Sequence, residues 1–459
     1  MPEKIALVNL GCPKNLVDAE VMLGHLKARG YELTTDADSA DVVVVNTCGF
    51  LKDASQESVD AILEAAERKK DGRLRAVVAA GCMTQRYGDG IAEAMPEVDG
   101  FLGVGQAHHL PDLVERVLRG ERASVLRGPS AGFEGYGLRL QATPSYTTYL
   151  KVSEGCDRHC AFCVIPQFRG KMQSRSVDEI VGEARALAAR GTRELVLIGQ
   201  DPTRYGADDG GHRMPELLER LHEIEELRWI RVLYLFPDRH VQPILQAVAA
   251  LPKVCKYVDM PFQHVSPTVL RRMNRPGGAQ EYLRLLENLR EACPDVSVRS
   301  TFIVGFPGET AADFRELKAF VRSAELDWIG AFRYSPEEGS PAAAMAGQVD
   351  RRTSRRRYER LMALQQEIGG RRQQRWLHRD VDVLVEQVEG ARAAGRTQGQ
   401  APEIDGETHL DLSDLPDVRP GDFVRAVVTE AGPYDLHARA VERLHRSPRP
   451  HPGLIQIAL

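Results

Sequence analysis

No stretch of this 459-residue chain is apolar for the ~18 residues that cross a bilayer; its most apolar short runs, DVVVVNTC and RAVVAAGC, are strand-length. The opening MPEKIALVNLGC carries neither a basic segment nor a long apolar one, so no export signal is expected. Charge of one sign is not in excess: 60 Lys plus Arg face 65 Asp plus Glu, a net charge of −5. That total gives no general attraction for nucleic acid or an anionic lipid surface. Cysteine is sparse, with 8 in the whole chain, which excludes a disulfide framework of the small secreted kind. The expected setting is a reducing cytoplasm, where thiolates are available to metal. With 43% hydrophobic and 27% charged residues, the chain is ordinary soluble material, long enough for about three domains.

What is there begins with a near-repeat. KIALVNLGC, DVVVVNTC and RAVVAAGC each read as a buried, β-branched strand ending in cysteine. Helical patterns, NLVDAEVMLGHLKARG and ASQESVDAILEAAERKK, follow the first two. Cys12, Cys48 and Cys82 therefore recur at intervals of 36 and 34 residues, the spacing of successive βα units in a parallel sheet. Ligands of such sheets gather beyond the carboxyl ends of the strands, where all three cysteines fall. A single strand-end cysteine is usually a small buried hydrophobe. Three at matching positions suggest a three-thiolate site, with buried core cysteines as the alternative.

Gly128 to Ser145 reads as a linker. After it TTYLKVSEG, RELVLIGQ, RWIRVLYL, KYVDM, VSVRSTFIVG and DWIGAFRY alternate with amphipathic helical runs, predicting a partial barrel of six βα units with its site at the C-terminal strand ends. The run from Arg351 to Arg375 holds nine arginines and two glutamates and is expected to be a solvated helix face. From Trp376 short strands separated by Gly, Asp and Pro predict a small all-β barrel. The expected fold is α/β: a parallel α/β domain at 1–135, a partial (βα)6 TIM-like barrel at 136–375, a small antiparallel β-barrel at 376–446, and a Pro-rich tail at 447–459 with no assigned role. Cys255 and Cys293 are expected in the core.

EGCDRHCAFCVIPQFRG sets Cys156, Cys160 and Cys163 in a CxxxCxxC pattern. Structural zinc normally takes four protein ligands, often in CxxC pairs. Three soft thiolates in one tight loop suit three irons of a 4Fe–4S cube and leave the fourth iron open. An incomplete zinc site is the plainer alternative.

The stretch resembles the radical S-adenosylmethionine (SAM) family, whose motif is CxxxCxΦC with an aromatic before the last cysteine, here Phe162. The resemblance implies that the open iron chelates SAM and that an electron from the cluster cleaves it to methionine and a 5′-deoxyadenosyl radical. It also implies cofactor contacts at Gln200 in LIGQD, Gln263 in MPFQH and Gly305 in FIVGFPGET; each glutamine alone is more often a loop hydrogen-bonder. NLGCPKN, NTCGF and AGCMTQRY are similar to the N-terminal domain of methylthiotransferases, which implies a second 4Fe–4S cluster on Cys12, Cys48 and Cys82, and a need for a sulfur donor and an electron donor.

That family has an RNA-modifying branch, which typically reads GCQMN, VNSYG and PVQSGS. This chain reads GCPKN, DPTRYG and PFQHVSP instead, then RRMNRPG and FRYSPEEGSPAA. These resemble the branch acting on an aspartate β-carbon of small-subunit ribosomal protein twelve, free or in the ribosomal subunit. Asp201, Arg204 and Tyr205 in DPTRYG become candidate substrate contacts; no side chain stands out as a general acid or base. A reductase such as flavodoxin or ferredoxin is implied as a partner. The final β-domain resembles the TRAM module. From Trp376 to Arg446 it holds eight Arg and no Lys against fourteen Asp plus Glu, net −6. An RNA-gripping surface should be basic, whereas an acidic one suits a basic protein. The arginine-rich helix leaves RNA contact as a secondary expectation. Two alternatives stay open: a transfer RNA adenosine methylthiotransferase, and a non-catalytic iron–sulfur binding or sensing protein.

Overall fold

Continuous β-branched runs build the first sheet in the computed structural model, which describes residues 2–126, 128, 133 and 135–447. Its strands are β1 (Lys4–Asn9), β2 (Glu32–Thr34), β3 (Val42–Thr47), β4 (Ala76–Gly81), β5 (Gly100–Leu102) and β6 (Ala123–Val125), all parallel in the order β2-β1-β3-β4-β5-β6. β3 and β4 are buried along their whole length, so no polar alternation marks them. The chain leaves β1 toward β2 and then crosses back to β3. That reversal opens a crevice at the carboxyl ends of β1 and β3, the place where open α/β sheets bind ligands. The helices α1 (Pro13–Ala28), α2 (Lys52–Lys70) and α3 (Cys82–Tyr87) follow β1, β3 and β4.

The barrel strands are β7 (Thr147–Lys151), β10 (Glu194–Ile198), β11 (Trp229–Val232), β12 (Tyr257–Asp259), β13 (Ser297–Val304) and β14 (Trp328–Arg333). They form two parallel arcs, β7-β10-β11 and β12-β13-β14. All six lie where the apolar runs predict them. A short antiparallel pair, β8 (Ser153–Glu154) and β9 (Gln173–Ser174), stands above β7. One buried apolar cluster runs from Leu7 of β1 and Leu23 of α1 to Tyr149, Ile198 and Leu233 of the barrel, so the two domains share a core.

The helix Arg351–Gln373 corrects the expectation of a merely solvated face. Arg351, Arg352, Arg355, Arg356 and Arg360 are exposed. Arg357, however, pairs with buried Glu309 at 3.1 Å, and Arg375 with buried Asp327 at 2.6 Å. Leu361 and Ile368 are fully buried beneath it.

The last five strands, β15 (Asp380–Glu389), β16 (Arg392–Thr397), β17 (Thr408–Asp411), β18 (Phe423–Ala431) and β19 (Leu436–His445), close into a barrel in the order β15-β16-β17-β19-β18. Four neighbour pairs are antiparallel and β17–β19 is parallel. The small antiparallel barrel expected from the sequence is present with one parallel contact, because strict alternation cannot close five strands. Of the tail at 447–459, all but Ser447 lies outside the described residues.

This domain docks at the N-terminal ends of the barrel strands, opposite the cysteines. Glu194 at the start of β10 takes Arg231 at 3.0 Å and Arg396 of β16 at 2.6 Å, all three buried. Arg299 and the Tyr257 hydroxyl bind Asp405 at 2.6 and 2.7 Å. Burial alone would raise the pKa of Glu194, but Arg396 and Arg231 bring it down to about 2. A depressed folded-state pKa contributes stability above the unfolded value of ~4.3, lost as pH falls through the folded value. Glu194→Gln should cost roughly 3 kcal/mol at pH 7 by leaving two buried guanidiniums uncompensated. The gap between variant and wild type should narrow from about pH 4 toward pH 2. Denaturant unfolding across that range checks it; a gap independent of pH would refute the pairing.

Candidate active site

The β8–β9 pair pinches the cysteine loop at its neck. The Cys156 N–H donates to the Gly170 carbonyl at 3.1 Å. Gly155 has φ 75°, and a Cβ there would meet the Lys171 carbonyl oxygen at 2.1 Å, so only glycine closes the neck. Inside the loop the Arg158 N–H donates to Cys156 Sγ at 3.3 Å, and the Cys163 N–H to the Cys160 carbonyl at 3.0 Å. Arg275 Nη1 stands 3.6 Å from Cys160 Sγ. Burial pushes the Cys156 and Cys163 thiols up to about 12. A bound cation reverses that preference, since a coordinating thiol is deprotonated outright. Phe162 is half-buried against the barrel core.

Buried polar atoms without a hydrogen-bond partner among the described residues lie at the strand ends on this side: Ser153 Oγ after β7, Gln200 Oε1 and Asp201 Oδ1 after β10, and Asp259 Oδ1 at the end of β12. Each orphan of this kind costs about 1–3 kcal/mol and calls for an explanation. A polar cofactor laid across the strand ends supplies one. The Gln200 amide donates to Glu154, leaving its oxygen free. Gln263 is held at φ 68° by bonds between its backbone and Thr301 and Ile303. Gly305 has a separate reason to be glycine: at φ 76°, a Cβ would meet Ser354 Oγ of the arginine-rich helix at 2.6 Å.

The three candidates in DPTRYG sit in different surroundings. Asp201 is buried; its Oδ2 accepts from Arg158 at 2.6 Å, which also holds Asp238, while its Oδ1 has no hydrogen-bond partner among the described residues. Tyr205 is 1% exposed and its hydroxyl donates to the Arg175 carbonyl, so it packs the fold. Arg204 is half-buried, makes no side-chain hydrogen bond or ion pair among the described residues, and acts on Asp201 only at longer range.

Cys12 is the N-cap of α1, with no side-chain capping bond, and Pro13 begins the helix. Cys48 follows β3, and Cys82 opens α3 directly after β4. The three approach one another because the intervening glycines allow it. A Cβ on Gly11 (φ 99°) would meet Cys48 Cβ at 2.9 Å, and one on Gly49 would meet the Cys82 carbonyl carbon at 2.9 Å. Burial raises the Cys82 thiol to about 12 and raises that of Cys48. Among the described residues no three His, Cys, Asp or Glu side chains converge on a single metal ion. A cube whose irons occupy separate corners needs thiolates spread around it, and an all-sulfur donor set suits iron–sulfur ligation. Cys255 and Cys293 lie in the hydrophobic cores.

The two cysteine sets are tied together by residues that the sequence reading missed. Directly after Cys163, Val164 and Phe168 pack on Cys82. Arg169 then donates through Nη1 to both Glu154 oxygens at 2.8 Å, and through Nη2 to Asn15 at 2.7 Å and to Cys82 Sγ at 3.0 Å. Lys151 binds Glu154 at 2.7 Å and also binds Asp18. Burial alone would lower the Arg169 pKa, yet Cys82, Glu154 and Asp18 carry it well above the ordinary arginine value. The one sequence signal was a lysine closing the apolar strand TTYLK; a charge in a strand buried on both faces must have a partner.

Three family models match the chain: the Radical SAM superfamily over residues 150–321, Uncharacterized protein family UPF0004 over 4–103, and the TRAM domain over 379–441. The ribosomal protein uS12 methylthiotransferase RimO of Desulforudis audaxviator is 46% identical, covering 96% of this chain and 98% of its own. That of Geobacter sulfurreducens is 44% identical, over 95% and 98%. The chain belongs to the RimO family. Among solved structures, the radical SAM methyltransferase TsrM of Kitasatospora setae, with cobalamin and a [4Fe–4S] cluster bound, aligns at TM-score 0.54 and 15% identity over 72% of each chain, a likeness of fold. The RimO relatives span all three domains, so the family relation covers both cysteine sets and the terminal barrel.

Proposed function

We propose that this enzyme replaces a β-hydrogen of one aspartate in ribosomal protein uS12 with a methylthio group. The observation that carries the reading is the pairing of two separate three-cysteine sets across one buried network, in a chain similar over nearly its whole length to RimO enzymes. Cys156, Cys160 and Cys163 would hold one 4Fe–4S cluster with an iron left open for SAM, and Cys12, Cys48 and Cys82 the second. When bound, these groups supply the radical that takes the hydrogen and the methylthio group that replaces it. The protein's part is to bind, orient and exclude water. Phe162, Gln200 and Gln263 line or support the cofactor side, and the unpartnered atoms of Ser153, Gln200 and Asp259 supply polar contacts there. The Arg169–Glu154–Lys151 cluster keeps the two cysteine sets in fixed relation.

The acidic terminal barrel meets a basic ribosomal protein, and the exposed arginines from Arg351 to Arg360 offer a secondary contact to ribosomal RNA. A flavodoxin- or ferredoxin-type reductase supplies electrons in the cytoplasm. Among the described residues no helix is long and apolar enough to cross a membrane. Anaerobic incubation with uS12, SAM and reductant should add a methylthio mass to one aspartate. A gain on transfer RNA adenosine with none on protein would overturn the reading.

A further inference from the structure

We propose that Lys14, seated on the ring of Tyr234, binds the carboxylate of the substrate aspartyl side chain. The inference rests on the protein-substrate reading above. Lys14 lies two residues past Cys12 on α1, and its Nζ stands 3.3 Å from the Tyr234 ring centroid. Tyr234 follows β11 at the mouth of the barrel. Its backbone is held at φ 65°, and its N–H donates to Asp259 Oδ2 at 2.9 Å. A bulky residue at positive φ persists only where its surroundings over-determine it. The contact bridges the crevice between the second cysteine set and the strand ends beside the first.

Two cations around that crevice make no side-chain hydrogen bond or ion pair among the described residues, Arg204 beyond β10 and Lys14, and of the two Lys14 stands beside the second cysteine set. Arg158 is neutralised by Asp201 and Asp238. Arg169 and Lys151 are neutralised by Glu154 and Asp18. Arg275 has no carboxylate but is engaged with Cys160 Sγ and the Pro261 carbonyl, on the side of the first cysteine set. Lys14 makes no side-chain hydrogen bond or ion pair among the described residues; its direct contact is the ring, and Asp259 and Glu154 act on it only at longer range. A cation–π contact compensates a desolvated ammonium in part; an incoming carboxylate would complete it. The substrate brings such a group, since the β-carbon to be modified is bonded to the carboxyl carbon. Holding the carboxylate on Lys14 places that β-carbon in the crevice between the two cysteine sets.

The test uses the full-length enzyme with both clusters reconstituted, as wild type, Lys14→Met and Lys14→Arg. Each is titrated by calorimetry, and assayed for methylthiolation, with uS12 carrying its target aspartate or asparagine in its place. Wild type should favour aspartate by roughly 30-fold or more, the loss expected when one member of a desolvated charge pair is removed. Lys14→Met should bind the aspartate protein as weakly as wild type binds the asparagine protein, with discrimination falling to about threefold or less; Lys14→Arg should retain most of it. Iron content and cluster spectra should match wild type. Equal losses on both substrates, as a purely internal role toward Asp259 would give, overturn the proposal, as does loss of iron from the second set. Failure of wild type to modify uS12 at all would instead refute the substrate reading.

Discussion

Replacing Cys156, Cys160 and Cys163 together by alanine should abolish SAM cleavage and remove about half of the bound iron, while Cys12, Cys48 and Cys82 keep theirs. The complementary triple replacement should retain 5′-deoxyadenosine formation and lose sulfur insertion entirely. The asymmetry follows from how each set is built. The first is a single loop closed by β8 and β9 and by the contact of Gly155 with Lys171, none of which involves the N-terminal sheet. The second is assembled from three strand ends whose relative positions are set by the parallel register, Asn9 opposite Asn46 and Thr47 opposite Gly81. Neither set requires the other's sulfurs to reach its own geometry. Iron analysis and electron paramagnetic resonance on the two variants, beside chromatography of the SAM products, give the answer. Unchanged iron after the second replacement would defeat the two-cluster reading.

Parallel strands buried on both faces leave a plain trace, a continuous apolar run bounded by helical periods. This is why β1, β3, β4 and all six barrel strands fall on the runs that predict them. The positions of the six cysteines, three in one loop and three after strands, were legible for a related reason, since spacing within a loop and recurrence after strands are both local. What was not legible depends on pairing across long separations. Nothing near Asp18 announces Lys151, which lies 133 residues further on. Glu154 and Arg169 flank the cysteine motif, yet only the folded chain shows that they face each other and Cys82. Tyr205 shows the converse: its place in a distinctive motif says nothing of its surroundings, and only tertiary packing turns its hydroxyl to Arg175. The acidic composition of the last domain gave its charge but not its docking, which rests on Glu194 and Asp405 meeting arginines from the other domain.

Arg169→Met should destabilise the enzyme by roughly 3–5 kcal/mol, the usual cost of removing one member of a buried charge cluster. Glu154 would keep Lys151 but lose both bonds from the guanidinium, and the Asn15 oxygen and Cys82 Sγ would lose a donor. Arg169→Lys should recover little, because one compact ammonium cannot reach acceptors that the planar guanidinium addresses on two sides at once. The effect on the second cysteine set should be separable from stability. A cation and a hydrogen bond at a ligating sulfur favour the more reduced, more negative cluster, so their loss should shift its midpoint potential to a more negative value and weaken iron retention. The first set has no bond to Arg169 and should shift far less. Denaturant unfolding of the apoprotein measures the first effect, and redox titration of variants lacking Cys156, Cys160 and Cys163 measures the second without interference from the other cluster. A loss below about 1 kcal/mol together with an unmoved potential would mean that Arg169 is one packing residue among many. A normal potential with a full stability loss would confine its role to joining the domains. Both effects together are expected, because the same guanidinium touches the acid beside one cysteine set and the sulfur of the other.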